Sequence, residues 1–143
     1  MNLNIVTVEA SHQDIGCLIS EWKREAPESL GTNSESAASF ASFACIAINS
    51  ESNESVGFAL AGEQQGKNVI DLVYVAKGNK GNQIGKSLIQ YVEQNYAQQN
   101  TFLYVTVCSS QDGRHEKLVS YYHKLGYKRN KATEEFVELA KQI

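Results

Sequence analysis

The stretch "VIDLVYVAKGNKGNQIGKSL", Val69 to Leu88, decides how the rest of the chain is read. Its first part, Val69 to Ala76, is apolar on both faces, the pattern of a strand inside a sheet rather than at its edge. From Lys77 on it carries three glycines and three lysines and no acidic residue. Ile84, Leu88, Val92 and Tyr96 then recur at helical spacing. A glycine-rich loop that leaves a strand and opens a helix can hold a phosphate, because free backbone N–H groups and the positive helix end converge there.

Working toward the N-terminus, "SVGFALAGE" (Ser55 to Glu63) and "FACIAINS" (Phe43 to Ser50) read as strands. The short polar connections "QQGKN" and "ESNE" make Phe43 to Ala76 an antiparallel meander. "LNIVTVEA" (Leu3 to Ala10) is a further strand. A helix follows it, with Ser11 or Asp14 as cap and Ile15, Leu18, Ile19 and Trp22 as its apolar face. Pro27, the only proline, ends that helix or follows its end, and "PESLGTNSESAAS" is a loop with room for a short helix near Ser34 to Phe40.

Working toward the C-terminus, "TFLYVTVCSS" (Thr101 to Ser110) is a strand parallel to Val69–Ala76, joined to it through the helix by a right-handed crossover. "EKLVSYYHKLG" is a helix with Leu118, Tyr121, Tyr122 and Leu125 on its apolar face and Gly126 as its C-terminal cap. "YKRN" and "EFVELAKQI" form a closing pair of strands. The expected fold class is α/β, a mixed, mostly antiparallel sheet flanked by helices, in a single domain spanning residues 1–143.

Composition narrows the function. The 143 residues hold 13 basic and 16 acidic side chains, a net charge of −3, which argues against a nucleic-acid partner. The N-terminus lacks the basic and apolar regions of a signal peptide, and no run approaches the ~18 apolar residues of a membrane span, so a cytoplasmic protein with no membrane partner is expected. Cys17, Cys45 and Cys108 are far apart and lack a C-x-x-C spacing; all three read as small core residues. His12, His115 and His123 show no metal spacing and are expected in solvent, so no metal is expected.

Three readings of the glycine loop compete. A nucleotide P-loop would use "GKS" at Gly85 to Ser87 and would need a glycine at position 80, where Lys80 stands; Gly81 is one residue late. That spacing sets the size of the phosphate nest, and the strand after the helix ends in serines rather than a magnesium-binding aspartate. A plain solvated turn would use the glycines only for positive φ. The third reading is a coenzyme A loop. Val75, Lys80 and Gly85 fall in register with the pattern V-x-P-x-x-[RQ]-x-x-G-x-[GA], with Lys77 at the proline place, Lys80 at the Arg/Gln place and Gln83 at the middle glycine. Farther on, "SYYHKLGYKR" (Ser120 to Arg129) matches F-Y-x-K-L-G-F at Tyr121, Tyr122, Lys124, Leu125, Gly126 and Tyr127. On these two segments the chain resembles the GNAT acetyltransferase superfamily, closely from Val69 to Arg129 and in element order throughout. The asparagine that the family places after the preceding strand has no clear counterpart among Ser109, Ser110 and Gln111.

The resemblance implies the GNAT acyl-CoA N-acyltransferase fold and acetyl-CoA as co-substrate. It implies that the pantetheine arm pairs with the strand at Val73, Tyr74 and Val75. The diphosphate would lie on Lys80, Gly81, Asn82, Gln83, Ile84, Gly85 and Lys86, and Tyr122 would protonate the leaving thiolate. By spacing alone Tyr122 could equally be a core residue with a satisfied hydroxyl. Asp71 is the one charge in its strand; alternation puts it on a face with Val73 and Val75, where burial would raise its pKa and suit it to act as base. An aspartate near the exposed start of a strand is the alternative. The implied activity is transfer of an acetyl group to an amine-bearing small molecule or peptide, with a homodimer left open. Glu25, Glu28 and Glu35 could favour a cationic acceptor. A GNAT-like module that binds coenzyme A without turnover is the competing reading.

Overall fold

The structure is a computed structural model that describes residues 2–25, 41–79, 81, 83–108 and 114–143. Seven strands form one sheet in the order β1-β2-β3-β4-β5-β7-β6. They are β1 (Leu3–Val8), β2 (Phe43–Asn49), β3 (Glu54–Gln64), β4 (Lys67–Val75), β5 (Phe102–Cys108), β6 (Lys128–Ala132) and β7 (Phe136–Gln142). Three helices are described, α1 (Gln13–Glu25), α2 (Ile84–Asn95) and α3 (Arg114–Lys124). The expected order of elements holds, and the β2–β3–β4 meander is antiparallel as expected. Pro27, the suggested helix at Ser34 to Phe40, and Ser109 to Gln111 lie outside the described residues.

The sheet has two apolar faces. On one, α2 and α3 bury Ile84, Leu88, Ile89, Val92, Val119 and Tyr122 against Val56, Ala59, Ala61, Ile70, Leu103 and Val105. On the other, α1 buries Ile15, Leu18 and Ile19 against Phe58, Leu60 and Tyr74. β4 is central because it supplies both faces, Ile70 to the first and Tyr74 to the second. Gly57 on β3 sets how closely α2 approaches. A Cβ there would come within 2.7 Å of the Tyr74 carbonyl oxygen and 3.1 Å of Leu88 Cδ1.

Several expectations need correction. Leu118 is 49% exposed, and Val119 and Tyr122 form the buried stripe of α3 instead. Cys17 is exposed, because the buried stripe of α1 runs through Ile15, Leu18 and Ile19 and leaves position 17 on the far side; Cys45 is buried as expected, and the Cys108 side chain is outside the description. Neither Ser11 nor Asp14 caps α1. His12 takes that place, its Nδ1 accepting from the Asp14 N–H at 3.1 Å, while the Asp14 carboxylate accepts from the Ser55 hydroxyl. His12 and His115 are half-buried rather than in solvent.

Candidate active site

β4 and β5 are parallel neighbours, but their pairing covers only Asn68–Ile70 opposite Leu103–Val105. Beyond that point β4 pairs only with β3, and β5 only with β7, among the described residues. A bulge marks the place of parting. Ala61 pairs with Ile70 and Leu60 with Leu72, which leaves Asp71 as the extra residue. A bulge bends its strand and increases its twist, which accounts for β4 turning away from β5 here.

The backbone of β4 faces the resulting gap in a definite way. The Ala76 N–H donates to the Val56 carbonyl on β3 at 2.8 Å. By strand alternation the N–H and C=O groups of Val73 and Val75 then point to the opposite edge, into the gap. Tyr74 turns away on both counts. Its carbonyl faces Gly57 on β3. Its ring stacks on Trp22, 4.9 Å between centroids at 14°, and its hydroxyl donates to the Glu25 carboxylate at 3.1 Å. Burial, with the Glu25 bond and the negative charge of Glu21 and Glu25, pushes its pKa above the usual phenol range.

The loop after β4 runs to an uncapped helix start. Gly78 and Gly81 have φ of 85° and 91°. Gln83, at the place of the family's middle glycine, takes a left-handed conformation at φ 59° and ψ 23°. It therefore adopts the kind of backbone a glycine would favour. It occupies the N-cap of α2 without a side-chain cap bond, so the first N–H groups of the helix have no side-chain acceptor from it. Ile84 is 2% exposed and sends its side chain into the core, Gly85 is half-buried, and Lys86 is exposed beside the helix mouth. Lys80 and Asn82 lie outside the described residues.

Gly85 links the two sequence segments physically. A Cβ at Gly85 would lie 3.0 Å from the Tyr121 hydroxyl and 3.7 Å from Val75 Cγ2. The end of β4, the start of α2 and the middle of α3 therefore meet at one point. Tyr122 is 7% exposed, with its ring edge-on to those of Tyr121 and Tyr127. Burial and the neighbouring Tyr121 push its pKa well above the usual phenol range, so it holds its proton firmly. The α3 terminus that carries these rings is closed at Gly126, φ 99°, where the Tyr127 N–H donates to the Tyr122 carbonyl at 3.0 Å. Tyr127 is anchored through its hydroxyl to Glu93 on α2 at 2.7 Å, and Glu93 also pairs with Lys141 on β7 at 3.1 Å.

Asp71 is placed differently from its expectation. The bulge reverses alternation, so Ile70 shares the α2 face with Val73 and Val75, and Asp71 lies on the α1 face beside Gly62 and Gln64. Gln64 Nε2 donates to its carboxylate at 2.5 Å. Burial raises its pKa from 3.8 to about 6. The bulge and the Gln64 partner left no mark in the sequence, whereas the tyrosine at position 121, where the family pattern writes phenylalanine, was a visible signal.

These features can be compared with known proteins. The family model for the acetyltransferase (GNAT) domain matches residues 20–139. This chain belongs to the GNAT acetyltransferase family. The GNAT fold is equally plain in solved structures. Aminoglycoside 6′-acetyltransferase type Ii shares 24% identity at a TM-score of 0.75, over 97% of this chain and 96% of that one. The PaiA N-acetyltransferase from Thermoplasma acidophilum, in complex with coenzyme A, shares 16% at 0.72 over all of both chains. A GNAT family acetyltransferase from Elizabethkingia anophelis with acetyl-CoA bound shares 13% at 0.69, over 99% of each. No curated protein matches the chain. Membership supports acyl-CoA N-acyltransferase activity and coenzyme A binding. Among the described residues no helix is long and apolar enough to cross a membrane, and no group of His, Cys, Asp and Glu could hold a metal ion.

Proposed function

We propose that this GNAT protein transfers an acetyl group directly from acetyl-CoA to a primary amine of a small molecule or peptide. One observation carries the reading: β4 parts from β5 at the Asp71 bulge, next to an uncapped helix start. The residues present fit the coenzyme. Val73 and Val75 turn backbone amides into the gap, where a pantetheine arm can pair with them as a strand would. The first turn of α2, whose N-cap residue Gln83 makes no side-chain cap bond, suits its diphosphate, with Lys86 adding positive charge. Bound there, acetyl-CoA supplies an activated thioester.

The chain's own groups would then act as follows. A β4 N–H in the gap polarises the thioester carbonyl. Asp71, directly or through water, takes the proton that the amine loses as its nitrogen bonds to the carbonyl carbon. When the C–S bond breaks, Tyr122 donates to the thiolate, whose thiol pKa is ~8.5. Its raised pKa keeps it protonated at neutral pH, so its hydrogen bond stabilises the departing sulfur. The thiolate ends protonated at the expense of solvent, and any phenolate formed takes a proton back from water at once.

The acceptor approaches from the α1 side of the sheet, where Asp71 lies. Glu21 and Glu25 flank Trp22 and Tyr74 there, which supports a cationic amine. Among the similar structures, PaiA is an N-acetyltransferase by name and another is an aminoglycoside 6′-acetyltransferase. Glu28 and Glu35, the other acidic candidates, lie outside the described residues. The deciding experiment is calorimetric titration with acetyl-CoA, with ATP and magnesium as control. Saturable binding of acetyl-CoA alone is expected. Its absence overturns the assignment and would leave a GNAT fold without a working coenzyme site.

A further inference from the structure

The Tyr121 hydroxyl has no role in the mechanism above, yet it stands at the point where β4, α2 and α3 meet. It lies 3.0 Å from the place a Gly85 side chain would begin, and its ring carbon Cζ is 4.0 Å from that place. The ring is fixed edge-on against Tyr122, 5.5 Å between centroids. Burial raises the pKa of the phenol, so the hydroxyl keeps its proton and stands as a donor. A half-buried hydroxyl beside the first turn of α2, whose N-cap residue Gln83 makes no side-chain cap bond, is a donor near the place where an anion would bind. The family pattern has phenylalanine here, so this donor is a feature of the present chain.

We propose that Tyr121 is a positioning residue that donates a hydrogen bond through its hydroxyl to the coenzyme's diphosphate at the start of α2. The inference rests on the proposed function, since it takes coenzyme A to bind at that helix start. It gives Gly85 a reason to lack a side chain. A methyl group there would push the hydroxyl off its place, while a phenylalanine ring at 121 would meet it at ordinary contact distance.

The test compares the unaltered protein with Tyr121→Phe, a change that keeps the ring and its packing. Dissociation constants are measured for coenzyme A by calorimetry and for pantetheine, which lacks the diphosphate, by competition against coenzyme A. About a tenfold loss of coenzyme A affinity is expected, the range for a hydrogen bond to a charged group, with pantetheine unmoved. Gly85→Ala should weaken coenzyme A binding severalfold in the unaltered chain and less in the Tyr121→Phe background. Coenzyme A affinity unchanged by Tyr121→Phe overturns the inference, as does an equal loss for both ligands or an equal effect of Gly85→Ala in both backgrounds. No coenzyme A binding to the unaltered protein overturns the proposed function and this inference with it.

Discussion

Asp71 carries two separable consequences of its burial. Its folded pKa, about 6, stands above the ordinary 3.8. The folded chain therefore binds this proton more tightly than the unfolded chain does. The stability it contributes is fully present below pH 3.8 and is lost as the pH rises through about 6. At neutral pH the carboxylate is a liability, and Asp71→Asn, which can still accept from Gln64, should stabilise the fold above pH 6. The gain is about 1 kcal/mol once solvent access to the half-buried group is allowed for, read by denaturant unfolding at pH 8 and pH 4, with no gain at the lower value. The same variant should lower kcat/KM about a hundredfold, and the unaltered enzyme's kcat/KM should rise with pH through about 6. A profile flat from pH 5 to 8 in the unaltered enzyme would remove Asp71 from the base role. Tyr122→Phe should lower kcat about a hundredfold while leaving coenzyme A binding intact, and equal turnover would return Tyr122 to the core. Gln83 is strained, since a side chain with φ 59° costs about 1 kcal/mol more than glycine there. Gln83→Gly should raise the melting temperature by about 3 °C and bind coenzyme A at least as tightly; a lower melting temperature would show that the Gln83 side chain stabilises the loop. A partly buried carboxylate at Asp71 and a tyrosine on the apolar face of its helix at Tyr122 were legible in the sequence. The side of the sheet that Asp71 faces was not, because a single extra residue in β4 reverses the alternation and no residue type announces it.

At the scale of elements, close approach sets the site more than propensity does. The strands and helices were legible because β-branched runs and helical spacing agree with where each element packs. The errors fall where exposure depends on a neighbour. Val119 rather than Leu118 turns into the core, because α3 is rolled so that Tyr122 packs on Tyr127 and Tyr127 reaches Glu93 on α2. His12 caps α1, while the Asp14 carboxylate is engaged by Ser55 on β3. Gly57 is the clearest case of a contact that sequence cannot weigh. It looks like a weak point in a strand, yet it lets α2 lie against the backbone of β3, with Leu88 and Ile84 within 3.1 and 3.4 Å of its missing side chain. Gly57→Ala would collide with the Tyr74 carbonyl at 2.7 Å, and backbone has little room to give. The expected loss is about 2–3 kcal/mol, the upper range for overpacking, read by chemical denaturation. Because α2 carries the helix start that would hold the diphosphate, coenzyme affinity should fall too. A neutral substitution would mean that α2 shifts freely and that its seat on β3 does not position the site.

For the whole molecule, one sheet with a gap in its middle is the feature on which the proposed site rests. Legibility stops at this scale: the crossover from β4 to β5 could be read from strand, helix and strand, and the length of their pairing could not. Three paired positions at Asn68–Ile70 hold the two halves of the sheet together, and β4 then continues on β3 while β5 continues on β7. The gap leaves a sharp signature in the backbone. Ala76 donates to Val56 on β3, so Leu72 and Tyr74, in phase with it, also turn their N–H groups toward β3, and Val73 and Val75 turn theirs into the gap. Amide hydrogen exchange followed by NMR should therefore alternate along β4 in the free protein, slow at Leu72 and Tyr74 and fast at Val73 and Val75, although all four lie in a central strand. Coenzyme A should slow Val73 and Val75 by tenfold or more and leave Leu72 and Tyr74 unchanged, because a pantetheine arm supplies the strand partner that β5 withholds. Uniformly slow exchange in the free protein would mean that the gap is closed in solution. Alternation that coenzyme A leaves untouched would place the pantetheine arm elsewhere and would require a different account of why β4 parts from β5.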